Sequence, residues 1–166
     1  MHTFVYSCFI FVMKGREHYL GLYFGMLTKR YFGVLAKKLE GLDIERHFFL
    51  LIMINESKVK CTQQYLADTL LVDKVAMVNN LDYLSERGYI VRETNPKDRR
   101  ETHVTLTAKA KKAMKLIYAA IEKTNKEAAS GLKGKQQEEF FKALDVMNNN
   151  LSLAPSKRMV LEMKKG

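Results

Sequence analysis

The sequence predicts a mainly α-helical fold with one small two-stranded β hairpin. Apolar residues recur at spacings of three and four over most of the chain, which is typical of amphipathic helices. Period-two alternation appears in "THVTL", which follows the segment "YIVRET" and a turn at Asn95 and Pro96. With 47% hydrophobic and 28% charged residues, the 166-residue chain has the composition of a globular protein and not of a disordered one. This length suits one domain, or one core with a dimerisation extension.

Two helices are predicted in the first third of the chain. Apolar spacing predicts a long amphipathic helix over residues 16–40. Gly21 and Gly25 lie inside it, where each costs about 1 kcal/mol relative to Ala, so we expect close packing against another backbone there. Asp43 can cap the next helix, residues 44–54, which is apolar nearly all round, as a fully buried helix is.

The middle of the chain predicts a helix-turn-helix. Thr62 can cap the short helix "QQYLADTL", and Asp73 can cap "KVAMVNNLDYLSER", which Gly88 then ends. The buried face of this second helix is predicted to contain Met77, Leu81 and Leu84. A helix-turn-helix followed by a two-stranded hairpin is a winged helix, and "NPKDRRE" is then the tip of its wing.

The run from Leu66 to Lys112 resembles the MarR family of winged helix-turn-helix regulators. The wing of that family carries a D-x-R motif, present here as Asp98, Arg99 and Arg100, and its next helix opens with L-T, here Leu106 and Thr107. The resemblance implies a DNA-binding regulator, a repressor relieved by a small apolar or phenolic ligand. It also implies an intertwined homodimer on a palindromic operator.

The expected domain organisation follows from the predicted elements and the resemblance. Residues 1–42 form an N-terminal arm and dimerisation helix, residues 43–106 the winged helix-turn-helix, and residues 107–166 the C-terminal dimerisation helices and a basic tail. Within the last part, one helix runs from Thr107 to about Ser130 and another over about residues 135–151. Surplus apolar faces around Leu27, Ile117 and Phe141 support dimerisation. For the basic tail after Pro155 we expect either a helical turn packed against the partner subunit or a loose arm.

Duplex DNA is the expected partner, since the chain carries a net charge of +10 and a pI near 9.6. An α-helix fits the major groove, where Asn can contact adenine and small apolar groups can meet thymine methyls. Val75, Ala76 and Asn79 are therefore the expected base-edge contacts. Asn79 and Asn80 stand where relatives more often carry a basic and an apolar residue, and for Asn80 a merely solvated position is an equal alternative. The full predicted DNA-binding set is Thr62, Gln63, Lys74, Val75, Ala76, Asn79, Asn80, Tyr83, Arg87, Lys97, Arg99 and Arg100.

The wing supplies cations at a hairpin tip, where Lys97, Arg99 and Arg100 can follow phosphates or enter the minor groove. DNA would repel Asp98, so we expect it to pair with Arg100 and fix the shape of the tip. The resemblance implies that Arg100 reaches the minor groove, with Arg99 as the alternative. Three further lysines crowd the first turn of the helix after Thr107, where the helix dipole disfavours cations, and nearby phosphates or plain solvation would account for Lys109, Lys111 and Lys112.

No motif for catalysis or for metal binding is present in the sequence, so we expect neither an enzyme nor a cofactor or metal. The aromatic material that could line an effector pocket consists of Tyr23, Phe24, His47, Phe48 and Phe49. Two other functions remain open. One is a protein-interaction module that kept the winged fold without DNA readout, and the other is an RNA-binding winged helix.

Cys8 and Cys61 form no disulfide framework and no metal-ligand spacing, which predicts a cytoplasmic protein. We expect both thiols to be inert packing groups; Cys8 is the stronger redox candidate by resemblance, and Cys61 lies beside a helix N-terminus. The apolar residues 3–13 are too few to cross a bilayer as a helix and lack the features of a secretory signal. We expect a packed arm there, and the alternative is an upstream extension of a gene whose working start is Met13.

Overall fold

Six helices and one two-stranded antiparallel sheet make up the part of the chain that the computed structural model describes, residues 19–96 and 98–155, without the side chains of residues 98–100. The elements are α1 (Leu20–Lys38), α2 (Phe48–Glu56), α3 (Gln63–Thr69), α4 (Lys74–Glu86), β1 (Ile90–Asn95), β2 (Asp98–Leu106), α5 (Ala108–Ala128) and α6 (Gly134–Leu153). The predicted fold class, a mainly helical winged helix-turn-helix with a small hairpin, is confirmed. The predicted N-terminal arm and basic tail lie outside the described residues.

Three helices begin at the caps that the sequence predicts. In each case the side-chain oxygen of the cap accepts a hydrogen bond from the backbone N–H three residues further along the chain. The distances are 3.0 Å for Thr62, 2.8 Å for Asp73 and 3.2 Å for Thr107. Such a cap satisfies a donor that the helix itself leaves unpaired, and it stabilises the helix by about 1 kcal/mol. Gly88 follows the end of α4 with φ of +69°, a backbone conformation that side chains with a Cβ rarely adopt.

The predicted start of the second helix at Asp43 is wrong. The helix begins at Phe48, and residues 39–47 form a series of turns in which Glu45 has a positive φ of 44°. The Asp43 carboxylate accepts a hydrogen bond from the Tyr89 hydroxyl at 2.5 Å. The carboxylate predicted to cap the helix is thus bound to a residue distant in the chain. The helix is also not fully buried, because 37% of Phe49 is exposed.

The sheet is a wing built on the end of the helix-turn-helix. Its register runs from Ile90↔Leu106 to Thr94↔Thr102 and then passes to Asn95↔Asp98, so residues 99–101 form an irregularity in β2. The predicted second strand, "THVTL", is therefore too short, since β2 begins at Asp98. The Val104 N–H donates to the Cys61 carbonyl at 2.9 Å, which joins the base of the wing to the segment before α3.

One hydrophobic core lies under the helix-turn-helix and the base of the wing. Its fully buried members include Leu35, Ile44, Leu51, Leu66, Met77, Leu81, Leu84, Ala110 and Ile117. The chain itself thus covers Ile117, so its predicted place on a surplus dimerisation face is wrong. Cys61 is also buried in this core, as predicted for a packing group.

The outer helices are much less covered than the core. Helix α1 is tied to α5 by a hydrogen bond from the Tyr31 hydroxyl to Asn125 Oδ1 at 2.6 Å, and by the ion pair of Lys38 with Glu127 at 2.8 Å. None of the residues of α6 is buried in the described chain. We use the term terminal apolar surface for the exposed large side chains of α1 and α6, namely Leu20, Leu22, Tyr23, Leu27, Val34, Phe140, Phe141, Val146, Met147, Leu151 and Leu153. Apart from the adjacent backbone of α1 itself, the described chain has no atom within 4 Å of the position that a Cβ would take at Gly21 or Gly25, so it does not supply the close backbone expected there.

Candidate nucleic-acid interface

Helix α4 presents one face to the core and the other to solvent. Met77, Leu81 and Leu84 are fully buried, as predicted. On the opposite side 71% of Val75 is exposed, and Lys74 and Asn79 are exposed too, whereas Ala76 is half-buried. At the start of α3, Thr62 serves as the cap and Gln63 is half-buried. The N-terminal half of α4 therefore offers small apolar and amide groups to a partner.

The C-terminal half of α4 differs from the prediction. Asn80, Tyr83 and Arg87 belong to the predicted DNA-binding set, which requires them to face solvent, but all three are half-buried and hydrogen-bonded within the chain. The His47 ring stacks on Tyr83 with centroids 4.1 Å apart, and the Arg87 guanidinium lies 3.5 Å from the Tyr83 centroid. No pattern in the sequence predicts this stack, because His47 lies in a turn far from α4 along the chain.

His47 itself is buried, as expected for a core or pocket histidine. Its Nδ1 lies 3.2 Å from the Ile44 carbonyl oxygen, and its Nε2 lies 3.2 Å from Asn80 Oδ1. Burial lowers the pKa of His47, because the charged ring loses hydration, and these two contacts oppose that effect.

The first turn of α5 resolves the predicted conflict with the helix dipole for one lysine. Lys109 Nζ lies 2.8 Å from the Arg87 carbonyl oxygen and 3.3 Å from Asp43 Oδ1. It also lies 4.1 Å from the centre of the Tyr89 ring, a cation–π contact. Lys109 thus has partners within the chain, so phosphates are not needed to explain its position. Lys111 and Lys112 are exposed.

Asp43 is the acceptor that connects this cluster. The hydrogen bond from Tyr89 lowers the pKa of the Asp43 carboxyl, and the neighbouring Lys109 ammonium lowers it further. Burial and the same carboxylate raise the pKa of the Tyr89 hydroxyl. The turn segment before α2 is therefore joined to the start of β1 and to the start of α5.

The wing is fixed to α4 by an ion pair between Arg92 of β1 and Asp82. Near the tip, Asn95 Nδ2 donates to Glu101 Oε2 at 2.5 Å. Asp98 is paired with Asn95 in the sheet, so the D-x-R motif lies in β2 and not in the connecting loop. Lys97 lies outside the described residues, and the side chains of Asp98, Arg99 and Arg100 do too, so their roles stay predictions.

The five residues of the predicted aromatic pocket come from α1 and from the start of α2. Phe48 is buried and packs with Phe49 and Phe32, whereas His47 belongs to the stack on Tyr83, and Tyr23 and Phe24 lie on α1. One cavity, of about 500 Å³, is lined by Lys38, Leu39, Gly41, Leu42, Leu116, Ala119, Ala120, Lys123 and Glu127. A second, of about 300 Å³, is lined by Ile54, Asn55, Val59, Lys60, Cys61, Val104, Thr105, Leu106 and Lys111. None of the five predicted pocket residues lines either of these two cavities.

Among residues 19–96 and 98–155, no group of three or more His, Cys, Asp or Glu side chains is arranged to hold a metal ion. In the same part of the chain, no helix combines the length and the apolar character that crossing a membrane requires.

The chain is similar to members of one protein family in both sequence and fold. Residues 40–101, which span α2 to the first residues of β2, match the sequence profile of the MarR family. The structure is similar to a MarR transcriptional regulator from Methanosarcina mazei, with 25% identity, a TM-score of 0.76, and coverage of 82% of this chain and 99% of that chain. It is similar in fold to a MarR protein from Peptoclostridium difficile, with 20% identity, a TM-score of 0.74 and coverage of 80% and 86%. It is also similar in fold to a MarR-family regulator from a Rhodococcus species, with 20% identity, a TM-score of 0.70, and coverage of 81% of this chain and 95% of that chain.

Proposed function

We propose that this chain, which belongs to the MarR family of winged-helix transcriptional regulators, binds duplex DNA as a homodimer and represses transcription from a palindromic operator. The regulatory, DNA-binding character comes with the family. The operator, the repression and the residues that make the contacts are the proposal. We further propose that the protein acts in the cytoplasm, because its two cysteines form no disulfide framework.

The observation that carries the proposal is the solvent-facing side of α4. Val75 and Asn79 are exposed at the start of a helix that Asp73 caps and that Met77 and Leu81 anchor in the core. A helix held in this way can enter a major groove without losing its own packing, and apolar and amide groups are suited to thymine methyls and adenine edges. The proposed base-edge contacts are Val75, Ala76 and Asn79.

Phosphate contacts are proposed around this helix. Lys74 is exposed at the start of α4, and the wing carries Lys97, Arg99 and Arg100 along its tip. The net charge of +10 supports a polyanionic partner. Thr62 and Gln63, at the start of α3, are proposed to meet the DNA backbone, because the first helix of a helix-turn-helix crosses it.

Dimerisation is proposed to occur through the terminal apolar surface. Helix α6 has no buried residue in the described chain, although Phe141 and Leu151 are 63% and 71% exposed. Apolar side chains of this size are rarely left in water along a whole helix face, so a second copy is the proposed cover. Residues 1–42 and 107–166 are accordingly proposed as the dimerisation parts, and residues 43–106 as the DNA-binding part.

An effector that relieves repression is proposed on the family resemblance. Exposed aromatic rings at Tyr23 and Phe49 supply material for an apolar or phenolic ligand. The second subunit is proposed to complete such a pocket.

Selection of bound fragments from random duplex DNA by the purified protein tests the proposal. A palindrome with two half-sites supports the dimer, the groove and the specificity together. Binding without sequence preference, or stronger binding to RNA hairpins than to duplex DNA, contradicts it. The absence of any nucleic-acid binding would favour a protein-interaction module.

A further inference from the structure

His47 is held by two contacts that both end on oxygen atoms. Its Nδ1 faces the backbone carbonyl oxygen of Ile44 and its Nε2 faces Asn80 Oδ1, each at 3.2 Å. A carbonyl oxygen accepts hydrogen bonds and cannot donate them. Both contacts are therefore satisfied together only by the imidazolium ring, which carries an N–H on each nitrogen.

The neutral ring has one N–H, so one contact must change when the ring loses its proton. The Ile44 carbonyl belongs to the backbone, whereas the Asn80 side-chain amide can turn by half a rotation. After that turn, Asn80 Nδ2–H donates to Nε2 while Nδ1–H still donates to Ile44. The outward end of Asn80 then differs between the two states: it is the NH₂ group beside the charged ring and the carbonyl oxygen beside the neutral ring.

We propose that His47 is a positioning residue for Asn80, and that its protonation selects whether Asn80 offers DNA a hydrogen-bond donor or an acceptor. This inference rests on the proposed function, since it needs the outer face of α4 to lie in the major groove. A bidentate contact to adenine uses both ends of an Asn amide, and His47 holds one end of Asn80. Asn80 therefore makes a single contact, in contrast to its exposed neighbour Asn79.

The two states match different base edges. With its oxygen outward, Asn80 accepts from the amino group of cytosine or adenine. With its NH₂ outward, it donates to guanine N7 or O6, or to adenine N7. At a base pair that Asn80 contacts, acidification should move the preference from cytosine towards guanine on the contacted strand.

The groups around His47 decide when the change occurs. From α4, the Tyr83 ring stacks on His47, and the Arg87 guanidinium lies over the Tyr83 ring. Glu45 and Arg46 directly precede His47 in its own segment. Burial lowers the pKa of His47 and therefore favours the neutral ring in the free protein, whereas the contacts with Ile44 and Asn80 oppose this effect. Phosphates brought close by binding favour the charged ring, so the protein takes up a proton as it binds.

The test compares two duplexes that differ only at the base pair where Asn80→Ala abolishes discrimination, with cytosine or guanine on the contacted strand. Fluorescence anisotropy is measured at about pH 5.5 and about pH 8, on either side of the usual histidine range. The ratio of the two affinities should change by about 3- to 10-fold in the parent protein, the range of one hydrogen bond. It should stay constant in His47→Gln. The matched control His103→Gln should keep the change, since His103 is not one of the hydrogen-bond partners of the His47 ring.

A pH-dependent ratio that persists in His47→Gln overturns the inference, and so does a constant ratio in the parent protein. Nitrogen NMR of the free protein gives a readout without DNA: the neutral His47 ring should carry its proton on Nδ1, and a ring protonated on Nε2 would overturn the inference. If no duplex is bound at either pH, the proposed function fails instead, and the NMR result still decides the behaviour of His47. A far-UV spectrum of His47→Gln that matches the parent protein establishes that the variant is folded.

Discussion

Lys109 Nζ lies 2.8 Å from the backbone carbonyl oxygen of Arg87, so the first turn of α5 is bonded to the residue that ends α4. The two helix dipoles explain the contact, since a cation is disfavoured at the start of one helix and favoured at the end of another. The same ammonium group also reaches Asp43. Lys109 is thus unfavourable for the dipole of its own helix but supplies a hydrogen-bond donor to both Arg87 and Asp43.

Replacing Lys109 with Met should lower the free energy of unfolding by about 1 kcal/mol or somewhat more, because the carbonyl of Arg87 and the carboxylate of Asp43 lose a charged donor. Urea denaturation followed by circular dichroism measures the change. Lys112→Met is the matched control, and it should alter stability by less than about 0.5 kcal/mol, since this lysine is exposed. Equal effects of the two substitutions would show that the contact with Arg87 contributes nothing.

Replacing Arg100 with Ala should weaken binding on most duplexes, because it removes a cation from the wing. The slope of log affinity against log salt should fall by about one unit in magnitude. Fluorescence anisotropy over a salt series, on specific and scrambled duplexes, measures both quantities. An unchanged slope would exclude a phosphate contact by Arg100.

Replacing Asn79 with Ala should act differently, because this exposed side chain is proposed to touch a base edge. It should cost about 1 to 3 kcal/mol on the preferred site and leave non-specific binding and the salt slope nearly intact. The same anisotropy series measures it. If the preference for the specific site survives, the assignment of the reading face on α4 is wrong even though the fold is right.

Replacing Phe141 with Glu should shift the protein from dimer to monomer at micromolar concentration, since a charge would then lie within the terminal apolar surface. Sedimentation velocity measures the mass. Lys142→Glu is the control on the adjacent, exposed position, and it should keep the dimer. A parent protein that sediments as a well-folded monomer would contradict the proposed assembly directly.

Acidification should destabilise the parent protein through His47. Because the pKa of this residue is lowered in the folded state, the unfolded chain binds a proton first as the pH falls below about 6.5. The contribution of His47 to stability is therefore complete above that pH and declines as the pH falls towards the pKa of the folded state. Urea denaturation of the parent protein and of His47→Gln at several pH values isolates it. Parallel pH profiles would contradict the assigned direction.

Signals that depend on neighbouring residues predicted the fold well. The caps at Thr62, Asp73 and Thr107, the stop at Gly88 and the buried face of α4 all depend on spacings of a few residues, and all are confirmed. The family resemblance had the same basis, since its motifs are contiguous in the chain.

Contacts between distant segments were predicted poorly. Asp43 satisfies every local rule for a helix cap, but its carboxylate is taken by Tyr89 and Lys109, which lie 46 and 66 residues away. Asn80 and Tyr83 have the spacing of an exposed face, yet His47, 33 residues before Asn80, covers part of it. Periodicity identifies the side of a helix that meets the core, but it does not identify what a separate loop places on the other side.

The ion pair of Arg92 with Asp82 and the bond of Lys109 to Arg87 hold α4 at its middle and at its end. These contacts fix α4 relative to the wing and to α5, so on the proposed function neither α4 nor the wing can adjust alone to a displaced half-site. On a two-half-site operator, one extra base pair in the spacer rotates the second half-site by about 34 to 36° around the duplex axis. Only a change in the terminal helices could compensate for that rotation. We therefore expect a change in spacer length to weaken binding far more than a change of base at any single position.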